Sequence, residues 1–120
     1  MRSNPSEILE NLITIFPAFA IQWSDLQNYS RADDGSFRHC GVFSEFSSFY
    51  RDRFATSSLF QHESLFALIE NCVDDSGDDL DTAACTCFLE NISSEGNFSN
   101  AARLYMGSRS KHFFDLWNHS

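Results

Sequence analysis

Apolar residues recur along this chain at the spacing of an α-helix. In the first segment they lie three or four positions apart, on one helical face: Ile8, Leu9, Leu12, Ile13 and Phe16. Asn4 is a suitable N-cap, Pro5 fits the first helical position, and Glu7 completes a capping box. Pro17 lacks a backbone N–H and disfavours helical torsions at Phe16, so the first helix is predicted over residues 5–16.

The same periodicity predicts about six or seven short helices in all. A second helix opens at Pro17 and extends to Tyr29, and a loop over 30–39 follows because Asp33-Asp34-Gly35-Ser36 is typical of a turn. Further helices are predicted over 40–54, 58–73, 79–92 with Asp79 or Asp81 as the cap, 99–106, and from 108 onward. No segment alternates with period two. We therefore expect one all-α domain over residues 1–120, either a compact bundle or a short stack of helix pairs.

Aromatic residues of the predicted third helix form one stripe that is typical of a buried face. They step by three or four positions: Phe43, Phe46, Tyr50 and Phe54. Phe37, Phe49 and Phe98 fall off the predicted stripes. We expect them either to seal loops or to act as apolar anchors of a binding surface.

The charge balance limits the partners that this chain can bind. Among its 120 residues, 17 are acidic and 8 are Lys or Arg, which gives a formal net charge of -9 at pH 7. Affinity for phosphate backbones comes from Lys and Arg, so we expect no direct binding to nucleic acid. Negative charge attracts a basic partner instead.

Acidic residues concentrate between the predicted fourth and fifth helices. We define this acidic run by six residues: Glu70, Asp74, Asp75, Asp78, Asp79 and Asp81. A calcium loop starting at Asp74 fails, because glycine falls at its fourth position and Cys85 at its twelfth. The run is either a solvated turn with a helix cap or a contact surface for a basic partner, and the two are compatible. Asp33 and Asp34 form a second, smaller candidate surface.

Basic residues are scattered and form no evident groove. Arg109 and Lys111 fall at the start of the last predicted helix, where the helix dipole disfavours cations. We expect them to pair with nearby carboxylates, such as those of the acidic run.

No pattern of residues indicates catalysis, a metal site or a cofactor site. The chain lacks a glycine-flanked nucleophile elbow and a glycine-rich phosphate loop. Cys85 and Cys87 point about 200° apart on a helix, so one metal ion does not easily take both. Cys72, Cys85 and Cys87 fall on or near apolar stripes, where cysteines are usually inert. We therefore predict a protein that is not an enzyme and holds no metal and no cofactor.

The cysteines and the N-terminus indicate a cytoplasmic protein. No secretory signal is visible, and no apolar run approaches the roughly 20 residues that cross a bilayer, so a membrane partner is not expected. Four cysteines in a reducing compartment are predicted to be free thiols: Cys40, Cys72, Cys85 and Cys87.

Three segments carry a family resemblance. They are the Phe16-Pro17 junction, the segment from Cys87 to Ile92 (CFLENI), and the segment from Leu104 to Ser110 (LYMGSRS). Together they resemble a family of small, acidic, all-helical bacterial proteins that look like immunity proteins of polymorphic or contact-dependent toxin systems. The resemblance implies a helical fold and a toxin-neutralising role. Because these segments describe helix junctions, no functional residue is carried over.

The leading functional hypothesis is an immunity-type protein that occludes a basic cognate toxin through the acidic run, as a monomer or weak dimer. An adaptor or regulatory module of packed helices is the alternative, and it predicts several partners of modest affinity. A nucleic-acid mimic would need carboxylates spread over a long surface, whereas here they concentrate in one stretch. An enzyme would require a deep pocket that brings a Cys–His or carboxylate pair into contact.

Overall fold

Seven helices and no strand make up the part of the chain that the structure describes. The computed structural model describes residues 3–25, 32, 34–93 and 97–117. Its helices are α1 Pro5–Ile15, α2 Phe19–Trp23, α3 His39–Arg53, α4 Leu59–Cys72, α5 79–93, α6 Asn97–Arg103 and α7 Ser108–Trp117. A 3-10 turn, Phe54–Thr56, follows α3. The all-α fold class predicted from periodicity is confirmed.

The helix starts that rest on capping boxes are confirmed. In α1 the Asn4 side chain accepts a hydrogen bond from the Glu7 backbone N–H at 2.9 Å, and the Glu7 carboxylate accepts from the Asn4 N–H at 2.9 Å. Ser58 and Gln61 form the same reciprocal pair at the start of α4. Local side-chain chemistry therefore sets these two helix ends.

Three predicted helices differ from the structure. The second helix, predicted over 17–29, is α2, which begins at Phe19 and ends at Trp23. Residues 26–29 of that prediction lie outside the described residues. The sixth helix, predicted over 99–106, spans Asn97–Arg103. In α5 the cap is Asp78, one residue before the predicted Asp79. The middle of α5, Ala83–Leu89, is a π-helix. Periodicity did not reveal it, because every side chain of this segment except Thr86 is buried.

The core lies between α3 and the π-helical part of α5. Phe46 and Tyr50 of α3 each contact Phe88 of α5, with ring centroids 5.9 and 6.0 Å apart. Phe49 falls off the predicted stripe but is 1% exposed and contacts Phe16 and Phe19 of the N-terminal helices. The Cα radius of gyration is 13.5 Å. A compact chain of this length has about 13.6 Å, so the helices form a bundle and not an extended stack.

No described helix is both long enough and apolar enough to cross a membrane.

The prediction of four free thiols is wrong for two of them. Cys40, at the start of α3, forms a disulfide with Cys87, in the π-helical part of α5, and their Cα atoms lie 5.4 Å apart. Cys72 and Cys85 are free and buried, as predicted. The two cysteines are 47 positions apart in the sequence, so their pairing depends on how α3 packs on α5 and no local pattern predicts it.

A buried polar pair lies inside the aromatic core. The Tyr50 hydroxyl and His62 Nδ1 are 2.7 Å apart, and Tyr50 is fully buried. The two atoms share a hydrogen bond, and burial raises the pKa of Tyr50, so its hydroxyl stays protonated at neutral pH. His62 also stacks on Tyr105, with ring centroids 4.8 Å apart. Burial lowers the pKa of His62 from its ordinary value of 6.5.

Loss of the disulfide should destabilise the protein. The bond closes a loop across 47 positions, and constraining an unfolded chain of that size contributes about 2–4 kcal/mol. We expect C40S/C87S to lower the free energy of unfolding by this amount in urea titrations. Dithiothreitol should have a similar effect on the unsubstituted protein and none on the double variant. An unchanged wild-type midpoint in dithiothreitol would show that the two sulfurs are not bonded.

Stability should fall as the pH drops below about 6.5, the ordinary pKa of histidine. Between that pH and the lowered pKa of folded His62, the unfolded chain binds the extra proton, so acid favours unfolding. We expect a decline of at most about 1.4 kcal/mol per pH unit between pH 7.5 and 5.5. His62→Gln should flatten this slope, whereas His112→Gln at an exposed position should keep it. Equal slopes in both variants would contradict this assignment.

Candidate interaction site

The connection between α4 and α5 is an exposed, tightly folded acidic segment. We call residues 74–79 the acidic loop. Asp74, Asp75 and Asp79 are exposed, and Asp78 is half-buried. The backbone turns sharply here because Asp75 and Gly77 have positive φ angles of 62° and 76°. Glycine adopts this region without strain, and Asp is among the few other residues that tolerate it.

The buried side chain of Asp81 binds the backbone of the acidic loop. It is only 7% exposed, and its carboxylate accepts three backbone hydrogen bonds. Oδ1 accepts from the N–H groups of Asp74 and Asp75 at 3.2 and 3.4 Å, and Oδ2 accepts from Gly77 at 2.9 Å. A buried carboxylate is stable when such donors replace its water. Asp81 therefore shapes the loop and does not present its charge to a partner.

Two further hydrogen bonds order the loop. The Asp74 carboxylate accepts from the Ser76 N–H at 3.1 Å, which is the geometry of an Asx turn. Asp78 Oδ1 accepts from the Asp81 N–H at 2.8 Å and so caps the start of α5. The exposed carboxylates are thus carried on a backbone that its own side chains constrain.

Glu70, on α4, binds the start of α7. Its carboxylate accepts from the N–H groups of Arg109 and Ser110 at 3.0 and 2.9 Å and from the Ser110 hydroxyl at 2.8 Å. These donors lie at the start of α7, where the helix dipole favours an anion. Burial opposes ionisation, but the hydrogen bonds from Ser110 and Arg109 lower the pKa of Glu70 below its ordinary value. Glu70 therefore fixes α7 against α4.

Arg109 and Gly107 complete this junction. Arg109 Nε lies 3.8 Å from a Glu70 carboxylate oxygen and donates to the Val73 carbonyl, which confirms the expected pairing of Arg109 with the acidic run. At Gly107 a Cβ atom would lie 2.5 Å from the Glu70 carboxyl carbon. Glycine is needed here because Glu70 could move away only by losing its hydrogen bonds to α7.

The six residues of the predicted acidic run therefore have different roles. Glu70 and Asp81 are bound inside the fold, and the half-buried Asp78 caps α5. Asp74, Asp75 and Asp79 are exposed together on the loop. Of the second candidate surface, Asp33 lies outside the described residues. Asp34 is exposed in the turn before α3, where its carboxylate accepts from the Ser36 N–H at 2.9 Å.

A cleft that the sequence did not predict lies between the acidic loop and α7. Its volume is about 540 Å³, and both Cys85 and His112 line it. Burial and then the nearby charge of Asp81 raise the pKa of Cys85 to about 12. The thiol is therefore protonated at neutral pH and is a poor nucleophile. No group of three or more His, Cys, Asp or Glu suited to a metal ion occurs among the residues with described positions.

These features define an all-helical protein whose distinctive surface is a preorganised acidic loop. The chain belongs to the family described as a domain of unknown function (DUF7674), whose model matches residues 9–119. No curated protein and no solved structure matches it.

Removing one oxygen acceptor from Asp81 should unfold the loop locally and weaken the protein. In Asp81→Asn an amide NH₂ replaces one carboxylate oxygen and faces a backbone N–H. Leaving such a buried donor unsatisfied costs about 1–3 kcal/mol. We expect this loss in the free energy of unfolding measured with urea. The matched substitution Asp79→Asn, at an exposed carboxylate two residues away, should stay within about 0.5 kcal/mol. Equal effects would show that Asp81 does not organise the loop.

Proposed function

We propose that this protein is an immunity-type inhibitor that binds a basic bacterial toxin through the acidic loop and occludes it. The observation that carries the proposal is the ordered cluster of exposed carboxylates, Asp74, Asp75 and Asp79, on a chain of net charge -9. The segments that resemble immunity proteins support the same function.

The constrained backbone of the loop suits it to fast and tight binding. A partner that meets a loop already held by Asp81 and Asp78 does not have to order it, so less conformational entropy is lost on association. Exposed charge of one sign steers an oppositely charged protein and raises the association rate. Such an inhibitor needs no chemistry of its own, which agrees with the protonated Cys85 thiol in the neighbouring cleft.

The alternative is an adaptor or regulatory module without enzymatic activity. It shares the acidic binding surface but would associate with several proteins at modest affinity. A monomeric or weakly dimeric state and a cytoplasmic location stay predictions. The cytoplasmic prediction rested partly on four free thiols, and the Cys40–Cys87 disulfide does not support it, because disulfides are typical of oxidising compartments.

Neutralising the exposed carboxylates should slow association with the partner. Tagged wild-type protein and D74N/D75N/D79N would be used in parallel to retain proteins from native cells at low salt. We expect the wild type to retain one dominant basic protein that is toxic when expressed alone. Its association rate with the triple variant should be about tenfold lower, and the difference should vanish at high salt.

The matched control is E10Q/D52N/E90Q, which removes the same number of charges from α1, α3 and α5. It should lower the association rate much less, because its charges lie outside the loop. Equal effects of the two triple variants would contradict the acidic loop as the contact surface. Retention of many partners, with no dominant toxic one, would favour the adaptor.

A further inference from the structure

One exposed face of α4 joins an apolar end to an acidic end. Phe60, Glu63, Ala67 and Asn71 are exposed and lie three or four positions apart, so they share one side of the helix. The helix ends at Cys72, and Asp74 of the acidic loop follows the extended backbone of Val73. Across its 14 residues α4 is about 21 Å long, which separates the apolar start of this face from the acidic loop.

The apolar end contains large side chains that the fold leaves in water. Phe60 is 75% exposed, Leu59 is 61% exposed, and Leu104, at the end of α6, is 78% exposed. Leu59 and Phe60 fall off the buried stripe of α4, so they are not needed for the core. Adjacent large apolar residues on a surface are typical of an interaction site.

A groove runs beside this face, between α4 and the connection from α6 to α7. Its volume is about 490 Å³, and Leu59 and Leu104 stand on opposite sides of it. Ala67, which also lines it, has a small side chain, so another backbone can approach closely at this point. Among the described residues that line the groove, Glu63 and Glu70 are acidic and none is Lys or Arg.

We infer that this groove docks an amphipathic basic helix of the partner protein, with its apolar side chains between Leu59 and Leu104 and its basic end over the acidic loop. The inference rests on the proposed function and adds an apolar anchor to it. Charge complementarity selects the occupant, since Glu63 lies beside the groove and Asp74 and Asp75 lie at the far end of α4. A second copy of this chain would instead bring two strongly acidic surfaces together.

A synthetic peptide provides a direct test. The probe is an 18-residue helical peptide with leucines on one face of its first half and lysines on the same face of its second half. A peptide of equal composition with leucine and lysine positions scrambled is the control. We expect the patterned peptide to bind at least about tenfold more tightly in calorimetric titrations. In ¹⁵N spectra its binding should shift the amide signals of Ala67, Met106 and Gly107.

Variants of the exposed apolar residues separate a docking role from a structural one. Leu59→Ser and Leu104→Ser should each weaken peptide binding about tenfold. Ile21→Ser is the matched control, because Ile21 is about as exposed as Leu104, at 79%, but lies on α2. Circular dichroism should be unchanged in all three. Replacing the lysines of the peptide with glutamates should abolish binding.

Equal binding of the patterned and scrambled peptides, shifts confined to other residues, or equal effects of Ile21→Ser and Leu104→Ser would overturn the inference. A dimer in light scattering that Leu104→Ser converts to a monomer would also overturn the inference.

The experiments distinguish failure of the groove from failure of the proposed function. If Leu104→Ser leaves toxin association unchanged while D74N/D75N/D79N slows it, only the groove is wrong. If the peptide occupies the groove but the loop variant has no effect on the toxin, the proposed function is wrong.

Discussion

Packing of the aromatic face of α3 against the π-helical part of α5 is the contact on which the rest of this fold depends. Phe46 and Tyr50 meet Phe88 there, and aromatic pairs in this range of distances and angles add specific geometry to a large buried area. The disulfide from Cys40 to Cys87 closes one end of the same interface. Since α5 carries Asp81, this packing also decides where the acidic loop is held.

The carboxylates of the acidic run have two roles, and the surroundings of each side chain determine which role it has. Glu70 and Asp81 accept backbone N–H groups and fix an element or a turn, so their charge is compensated inside the fold. Asp74, Asp75 and Asp79 stay in water and supply the local negative potential. Clustering along the chain predicted one surface for all six residues of the acidic run, although only the exposed group is available for steering a partner.

The surface that follows from this division has two chemically different ends. In the proposed complex, the acidic loop would attract a basic partner at long range, whereas burial of the apolar end at Leu59, Phe60 and Leu104 would gain free energy only on contact. Interfaces combine these contributions, because charge mainly raises the association rate and desolvated apolar anchors slow dissociation. Because the single helix α4 separates the two ends, its length would set how long a partner helix must be to contact both of them.

Residue spacing along the chain was enough to predict the helical class, the capped starts of α1 and α4 and the aromatic stripe of α3. These depend on the spacing of residues within a few turns, where helix geometry alone fixes which side chains meet. The disulfide, the burial of Phe49, the choice of Glu70 as the partner of Arg109 and the inward direction of Asp81 follow instead from the packing of the helices. Each of these depends on contacts between helices far apart in the chain, and spacing within one segment carries no information about them.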